Sequence, residues 1–394
     1  MKTTIATTRR KLFNYLLITL GFLSAFGPFV TDLYLPALPS LSKEFSTSPS
    51  VAQLSLTMSM LGLAIGQILI GPISDKYGRK KLLLGSLFIF IIATIGCILS
   101  TTIHTFNLMR LFQGMAGAGG IVLSRSIATD LYSGERLTQF ISMMSAVNGI
   151  APVAAPIIGG IILSFAHWKI IFWVLLFVGL ALIGLSINLS ESLSNRNRLQ
   201  TPLINSFVNY KNLVFNRTYI IHFLIYMFSS FVLFTYISSS TFILQEVYKM
   251  SSLLFSLCFA INAIVIGVGC AVAGHLAGKK SLRYGMIIMF VGAIFSVISL
   301  NLLHSALIVE VTFMIILLGF GLLQPVPMSI ALDSERNNAG VASAALGASG
   351  FLAGGIAAPL VGSGNMLITT SIMFVVGAII VSFCVFLSLR MKKK

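Results

Sequence analysis

Apolar runs of about twenty residues, long enough to cross a bilayer as helices, recur along almost the entire chain, and that pattern leaves few folds open. The runs fall at 13 to 35, 50 to 72, 82 to 100, 106 to 130, 138 to 164 and 170 to 189, and again at 217 to 243, 251 to 277, 283 to 303, 307 to 329, 339 to 362 and 367 to 389. Backbone in hydrocarbon has to satisfy its own hydrogen bonds. Each run is therefore expected to be a helix, giving an all-α membrane protein of twelve transmembrane helices. Composition agrees, with 9% of 394 residues charged and 57% hydrophobic.

A formal net charge of +16 raises the possibility of a nucleic-acid partner, and the placement of the charges answers it. Outside the runs, Lys43, Lys169 and Lys249 lie in segments facing one side, and Arg110 and Arg125 fall inside the fourth run. All other Lys and Arg lie in segments facing the opposite side, including Lys76, Arg79, Lys80, Lys81, Lys279, Lys280, Arg283 and both termini. Basic residues concentrate on the cytoplasmic side of membrane proteins. The pattern thus predicts a multi-pass protein of the cytoplasmic membrane with both termini inside, and no nucleic-acid role. The basic start followed by an apolar run resembles a signal peptide, but the run is long, carries Asp32 and lacks a small-residue cleavage site. It is read as the first span. Cys97, Cys258, Cys270 and Cys384 all lie within spans, with no spacing for a disulfide framework or a metal site.

The chain repeats itself at an offset of 203 residues. Ala154-Ala155-Pro156-Ile157-Ile158-Gly159 matches Ala357-Ala358-Pro359-Leu360-Val361-Gly362, Ile127-Ala128-Thr129-Asp130 matches Ile330-Ala331-Leu332-Asp333, and Gly71 falls on Gly274. Six spans separate the copies, so both have the same orientation, a parallel repeat about an axis along the membrane normal. The expected organisation is an N-terminal six-helix bundle over 1–189, a cytoplasmic linker over 190–216 and a C-terminal six-helix bundle over 217–394. Leu203, Ile204, Phe207, Tyr210, Val214 and Phe215 recur in the linker at roughly helical spacing. That spacing fits either an interfacial helix or a flexible connection.

The loop after the second span reads Gly71-Pro72-Ile73-Ser74-Asp75-Lys76-Tyr77-Gly78-Arg79-Lys80-Lys81. Gly78 permits a reversal with positive φ, and Asp75 is placed to face Arg79 and a helix N-terminus. This loop resembles the signature of the major facilitator superfamily. The resemblance implies a conformational latch of Gly71, Asp75, Gly78, Arg79 and Asp130, closing on the start of span 11 near Gly340 and favouring an outward-open state. The second copy has Gly278 in place of Asp75, which puts a matching latch there in doubt. Span 5, with Gly149, Pro152, Pro156, Gly159 and Gly160, resembles the antiporter signature of drug exporters, with Ala155 where that signature has glycine. Small residues there allow close helix contact, and proline bends the helix.

Span 1 ends in Thr31-Asp32-Leu33-Tyr34-Leu35-Pro36-Ala37-Leu38-Pro39. Together with Ser240-Thr241-Phe242-Ile243-Leu244-Gln245-Glu246-Val247-Tyr248 and Ala339-Gly340-Val341-Ala342-Ser343-Ala344, it is similar to the bicyclomycin-resistance (Bcr/CflA) subfamily over nearly the full chain. The resemblance implies a proton-coupled efflux transporter for drugs or other small amphipathic compounds. A metabolite or nutrient transporter of the same superfamily is the alternative. Intramembrane charge marks functional positions, so Asp32 and Arg110 are the expected proton-coupling pair. Tyr34, Gln113, Asn148 and Tyr236 are candidates for the substrate cavity. Glu246 and Glu310 are read as solvated outer-end residues, and Arg125, near Asp130, as either a structural pairing partner or a side chain snorkelling to the interface. No P-loop is present, because the Gly278-Lys279 pair follows Ala273 where the motif requires glycine. No nucleotide, cofactor or metal is expected, and no enzymatic role. The partners are a small molecule, protons and the bilayer, with the chain acting as a monomer.

Overall fold

The computed structural model describes residues 2–132, 134–195, 198, 211, 213–276, 278–303, 305–335 and 339–391, with side chains for all of these except 2–12, 134, 135, 137–139, 141, 142, 145–149, 339 and 340. The helices are α1 Lys2–Ser24, α2 Phe26–Asp32, α3 Leu38–Glu44, α4 Pro49–Tyr77, α5 Arg79–Leu99, α6 Ile103–Leu131, α7 Gly134–Phe165 and α8 Lys169–Ile187, then α9 Arg217–Phe242, α10 Ser252–His275, α11 Gly278–Asn301, α12 Ala306–Leu323, α13 Pro325–Ser334, α14 Ala339–Val361 and α15 Met366–Arg390. Ten membrane-spanning candidates are long and apolar enough among the described residues, and Ile150–Phe165 in α7 adds a shorter apolar stretch. The helix α6 occupies the place of the fourth span. Its two arginines lower its hydropathy without shortening it.

Three of the spans are compound, and in one of them a π-helical turn at Ile243–Val247 continues α9. The first consists of α1, α2, a 3-10 turn at Leu35–Ala37 and α3. Pro28 removes a backbone donor in the turn after Ser24, and Pro36 and Pro39 remove two more, so a straight helix cannot run through. The tenth breaks between α12 and α13, where Pro325 follows Gln324. Helix starts carry side-chain acceptors: Ser48 Oγ for the Val51 amide, Thr102 Oγ1 for Thr105 and Asn216 Oδ1 for Thr218 and Tyr219.

The packing repeats as the sequence does. In the first half α4 lies on α6, α5 on α6 and on α8, and α1 on α7. In the second half α10 lies on α12, α11 on α12 and on α15, and α9 on α14. Across the halves the relation is reciprocal, with α4 against α14 and α10 against α7. That exchange is what a two-fold axis along the membrane normal requires. Glycines allow close approaches: on α14 Gly354 meets Met60 and Phe234, and just past its end Gly362 meets the Ser50 backbone. The outer faces of α5, α8, α10, α11 and α15 expose Phe88, Phe177, Ile264, Val291 and Phe383, a surface suited to lipid rather than water. Of the expected apolar stripe in the linker, Val214 and Phe215 are described and exposed. Leu203, Ile204, Phe207 and Tyr210 lie outside the described residues.

Candidate functional site

An even number of spans puts both termini on one face, called here the terminal face, opposite the far face. Two hydrogen bonds cross between the halves among the described residues, and both belong to the far ends of their spans. Gln53 Nε2 donates to the Ser238 carbonyl at 3.1 Å and Gln245 Nε2 to the Pro36 carbonyl at 3.3 Å. Gly160 of α7 presses on the Ser252 carbonyl and Ser256 of α10 at the same level. The far face is therefore closed.

Beneath that seal the halves enclose a cavity of about 440 Å³. Phe234, Phe259, Phe320, Phe351, Pro28, Pro152 and Tyr236 line it, and Asp32 is its carboxylate. Asp32 ends α2, is 6% exposed and has its Oδ1 2.7 Å from Thr31 Oγ1. No cation pairs with it among the described residues. An adjoining cavity of about 470 Å³ shares Pro28, Pro152, Phe234, Phe320 and Phe351 and adds Gln67, Arg125, Tyr226 and Gln324. The two form one path, apolar and acidic at depth, polar and basic nearer the terminal face.

Arg110 does not meet Asp32. Its guanidinium donates to the Val30 carbonyl at 2.9 Å and to Gln113 Oε1, and it sits 4.1 Å from the centre of the Tyr34 ring. Gln113 Nε2 continues to Thr94 Oγ1 at 2.8 Å, and the Tyr34 hydroxyl lies 3.2 Å from Ser55 Oγ. All three side chains are fully buried inside the first bundle. Of the expected cavity residues, then, Tyr236 lines the cavity, Tyr34 and Gln113 lie within the first bundle, and the Asn148 side chain lies outside the described ones. The reason is chemical: a buried guanidinium needs acceptors, and the Val30 carbonyl and Gln113 supply two of them while the Tyr34 ring face lies against it. Arg110 thereby fixes the backbone two residues before Asp32.

Pro152 lines the cavity, and Pro152 and Pro156 both lie inside α7. Gly159 lies directly on the Leu33 carbonyl, just past Asp32, and on Pro36. The side of Gly149 is not described.

At the terminal face Arg79 gathers the loop residues. Its NH1 is 2.5 Å from Asp75 Oδ1 and its Nε 3.2 Å from Asp130 Oδ2. Gly78 has φ +101°, and Gly71 has no close neighbour. Two residues missed by sequence reasoning complete the cluster. Glu191 accepts from the Arg79 amide at 2.9 Å and the Lys80 amide at 3.3 Å, and Ser192 Oγ donates to Asp130 at 2.7 Å. Glu191, not Asp75, serves the α5 N-terminus. The only sequence signal was an acid next to a basic loop. Two further expectations are corrected. Arg125 lines the adjoining cavity while Asp130 pairs with Arg79, because five residues along a helix turn the two side chains about 140° apart. Glu310 is 6% exposed, not solvated, and accepts from Asn262 Nδ2 at 2.7 Å; Glu246 is half-buried. Depth along a span had been read as exposure, but α12 packs between α10 and α11, inside the bundle.

The comparisons agree with this architecture. The Major Facilitator Superfamily model matches residues 17–359. An uncharacterised MFS-type transporter, YdgK of Bacillus subtilis, is 34% identical over 350 residues, 87% of each chain. A bicyclomycin resistance protein homolog of Haemophilus influenzae is 28% identical over 380 residues, 93% of each. Among solved structures, an inward-facing, unoccupied bacterial homolog of the human lysosomal transporter Spinster superposes with a TM-score of 0.75 at 18% identity, covering 97% of this chain and 99% of that one. With its repeated six-helix halves, closed far face and central cavity, the chain belongs to the Major Facilitator Superfamily and is a multi-pass membrane transporter rather than an enzyme.

Proposed function

We propose that the protein exports small amphipathic compounds across the cytoplasmic membrane in exchange for protons, by alternating access, with Asp32 as the proton-exchanging acid. The observation that carries this reading is Asp32 itself, a buried carboxylate without a cation partner among the described residues, set in an aromatic cavity between the halves. An isolated acid in such a place is costly to bury, and such acids mark proton and substrate pathways, while an apolar cavity with few polar groups suits amphipathic ligands. The resistance-related name of the Haemophilus influenzae relative points the same way.

With the basic terminal face in the cytoplasm, the closed far face makes this an inward-facing state. The Asp75–Arg79–Asp130 cluster is then the half of the latch held within the first bundle, engaging the start of α14 in the outward-open state. Each charge moved inward gains about 2.3 kcal/mol per 100 mV, enough for one-for-one exchange of a neutral compound to sustain a gradient.

The test is transport in proteoliposomes with pH and voltage gradients imposed separately, using chloramphenicol as a neutral probe and tetraphenylphosphonium as a cationic one. Proton entry should drive substrate the opposite way, and Asp32→Asn should abolish it. Substrate moving in the same direction as the protons would replace export with uptake.

A further inference from the structure

Glu310 stands outside the reading just given. Among the described side chains two acids are buried, Asp32 and Glu310, each 6% exposed. They belong to opposite halves, and a three-residue chain links the second to the cavity that holds the first. Asn262 of α10, fully buried, donates from Nδ2 to Glu310 Oε1 at 2.7 Å and to the Tyr236 hydroxyl at 2.9 Å. The Tyr236 ring lines the cavity opposite Asp32 and stacks on Phe259, another wall residue, with centroids 5.6 Å apart.

We propose that Glu310 is a second proton-binding site, in the C-terminal half, which Asn262 and Tyr236 couple to the substrate cavity. This rests on the proton-coupled reading above and adds a second exchanged proton to it. The atoms are assigned by the hydrogen bonds. Oε1 is taken by Asn262, whereas Oε2 is buried without a partner, so the exchangeable proton resides on Oε2. A charged oxygen buried there without a donor is costly, which holds this state in the protonated form. In the opposite state the Oε2–H bond breaks and the proton passes to water from the compartment then in contact. The remaining carboxylate pulls harder on Asn262, which shifts the Tyr236 hydroxyl and with it a wall of the cavity.

No cation opposes this assignment among the described residues. Tyr236 of α9 and Cys258 of α10 are the titratable groups near enough to feel Glu310, and both are neutral when protonated. Lys279, Lys280, Arg283 and Tyr284 of α11 lie at the opposite end of that helix, as Asp333 does on α13. His304, in the turn before α12, lies outside the described residues.

Two measurements test it. Infrared difference spectra of the purified transporter, titrated between about pH 5 and 9, should contain a protonated-carboxyl band that survives in Asp32→Asn, disappears in Glu310→Gln, and shifts in Asn262→Ala, where Glu310 loses its donor. A spectrum unchanged by Glu310→Gln would overturn the proposal whether or not any substrate is known. In proteoliposomes, two protons exchanged for one tetraphenylphosphonium carry one net charge, so an imposed voltage should drive several-fold accumulation. In Glu310→Gln one-for-one exchange is electrically silent, and the voltage response should vanish while the pH-driven response remains. Voltage-driven transport unaltered in Glu310→Gln, with Asp32→Asn inactive, would overturn the second site and leave the first standing. Absence of any proton coupling in the parent protein would instead overturn the exporter reading. Glu310→Asp should restore part of the voltage response, which a merely structural role would not do.

Discussion

The loop after α4 and its repeat after α10 occupy equivalent places, yet the first is built around Arg79, and the second has an apolar residue at that position. In the first, Arg79 is buried and binds Asp75 and Asp130, while Glu191 caps the start of α5. In the second, the position of Asp75 is Gly278 and that of Arg79 is Leu282, 1% exposed, with Lys279, Lys280 and Arg283 left on the surface. Both halves share the scaffold because helix packing is written in small and apolar residues spread over whole spans. The polar devices rest on a few side chains each, and the halves have diverged there. If the proposed latch operates, a single copy in the first half is enough to bias an equilibrium between two states of the halves.

The far face gives the strongest way to break this comparison, since there the repeat mates Gly159 and Gly362 are both glycine but touch different halves. Gly159 rests on the Leu33 carbonyl of its own half, and Gly362 on Ser50 and Gln53 of the other half's mate, α4. Gly159→Val should destabilise the protein by about 1–3 kcal/mol through overpacking, read as a lowered melting temperature in detergent. Gly362→Val should leave the melting temperature nearer the parent's and loosen the far seal, read as faster labelling of a cysteine placed at Ser50. Equal effects of the two on melting would show that the contacts are not divided between the halves in this way.

A smaller effect separates the two loops. Arg79→Ala strands Asp75 and Asp130 beside each other and removes the cluster's centre, so turnover should fall by roughly tenfold, about 1.4 kcal/mol, with substrate affinity little changed. Lys279→Ala, in the second loop, should leave turnover within about twofold, as expected of a solvated surface charge. Glu191→Ala should fall between them, because losing a cap on α5 costs about 0.5–2 kcal/mol of stability. Initial rates of efflux in proteoliposomes, set against binding measured in detergent, order the three.

Much of the fold was legible because span length and charge asymmetry act over tens of residues. Twelve runs became the observed spans, and the offset of 203 reappears in the packing of α4 on α6 and α10 on α12. The site was less legible because a one-dimensional pattern gives depth in the membrane but not direction around a helix. Tyr34 and Gln113 have the right depth and point into the first bundle, where Arg110 holds them. Arg125 and Asp130 are neighbours in sequence and separate in space, and Glu310 lies near a helix end yet inside the bundle. Glu191 and Ser192 follow the last span of their half, in a segment with no periodicity to read. Asp32, by contrast, was visible from its isolation alone.

The mildest test restores the missing acid. Gly278 opens α11, and a Cβ added there meets only Val326 Cγ1, at an ordinary 3.4 Å. Gly278→Asp should therefore be accommodated, and an acid in the first turn of a helix is worth about 0.3–1 kcal/mol. If the acid alone made the latch, the variant would bias the cycle as the first loop does, and turnover would change severalfold. The structure argues otherwise, because Asp75 acts through Arg79, and the repeat offers Leu282 in its place, buried and without charge. The expected outcome is a melting temperature raised by a degree or two and an efflux rate within about twofold of the parent. A severalfold change in rate would mean that Lys279 or Arg283 can take the role of Arg79, and that the second loop lacks an acid rather than a latch.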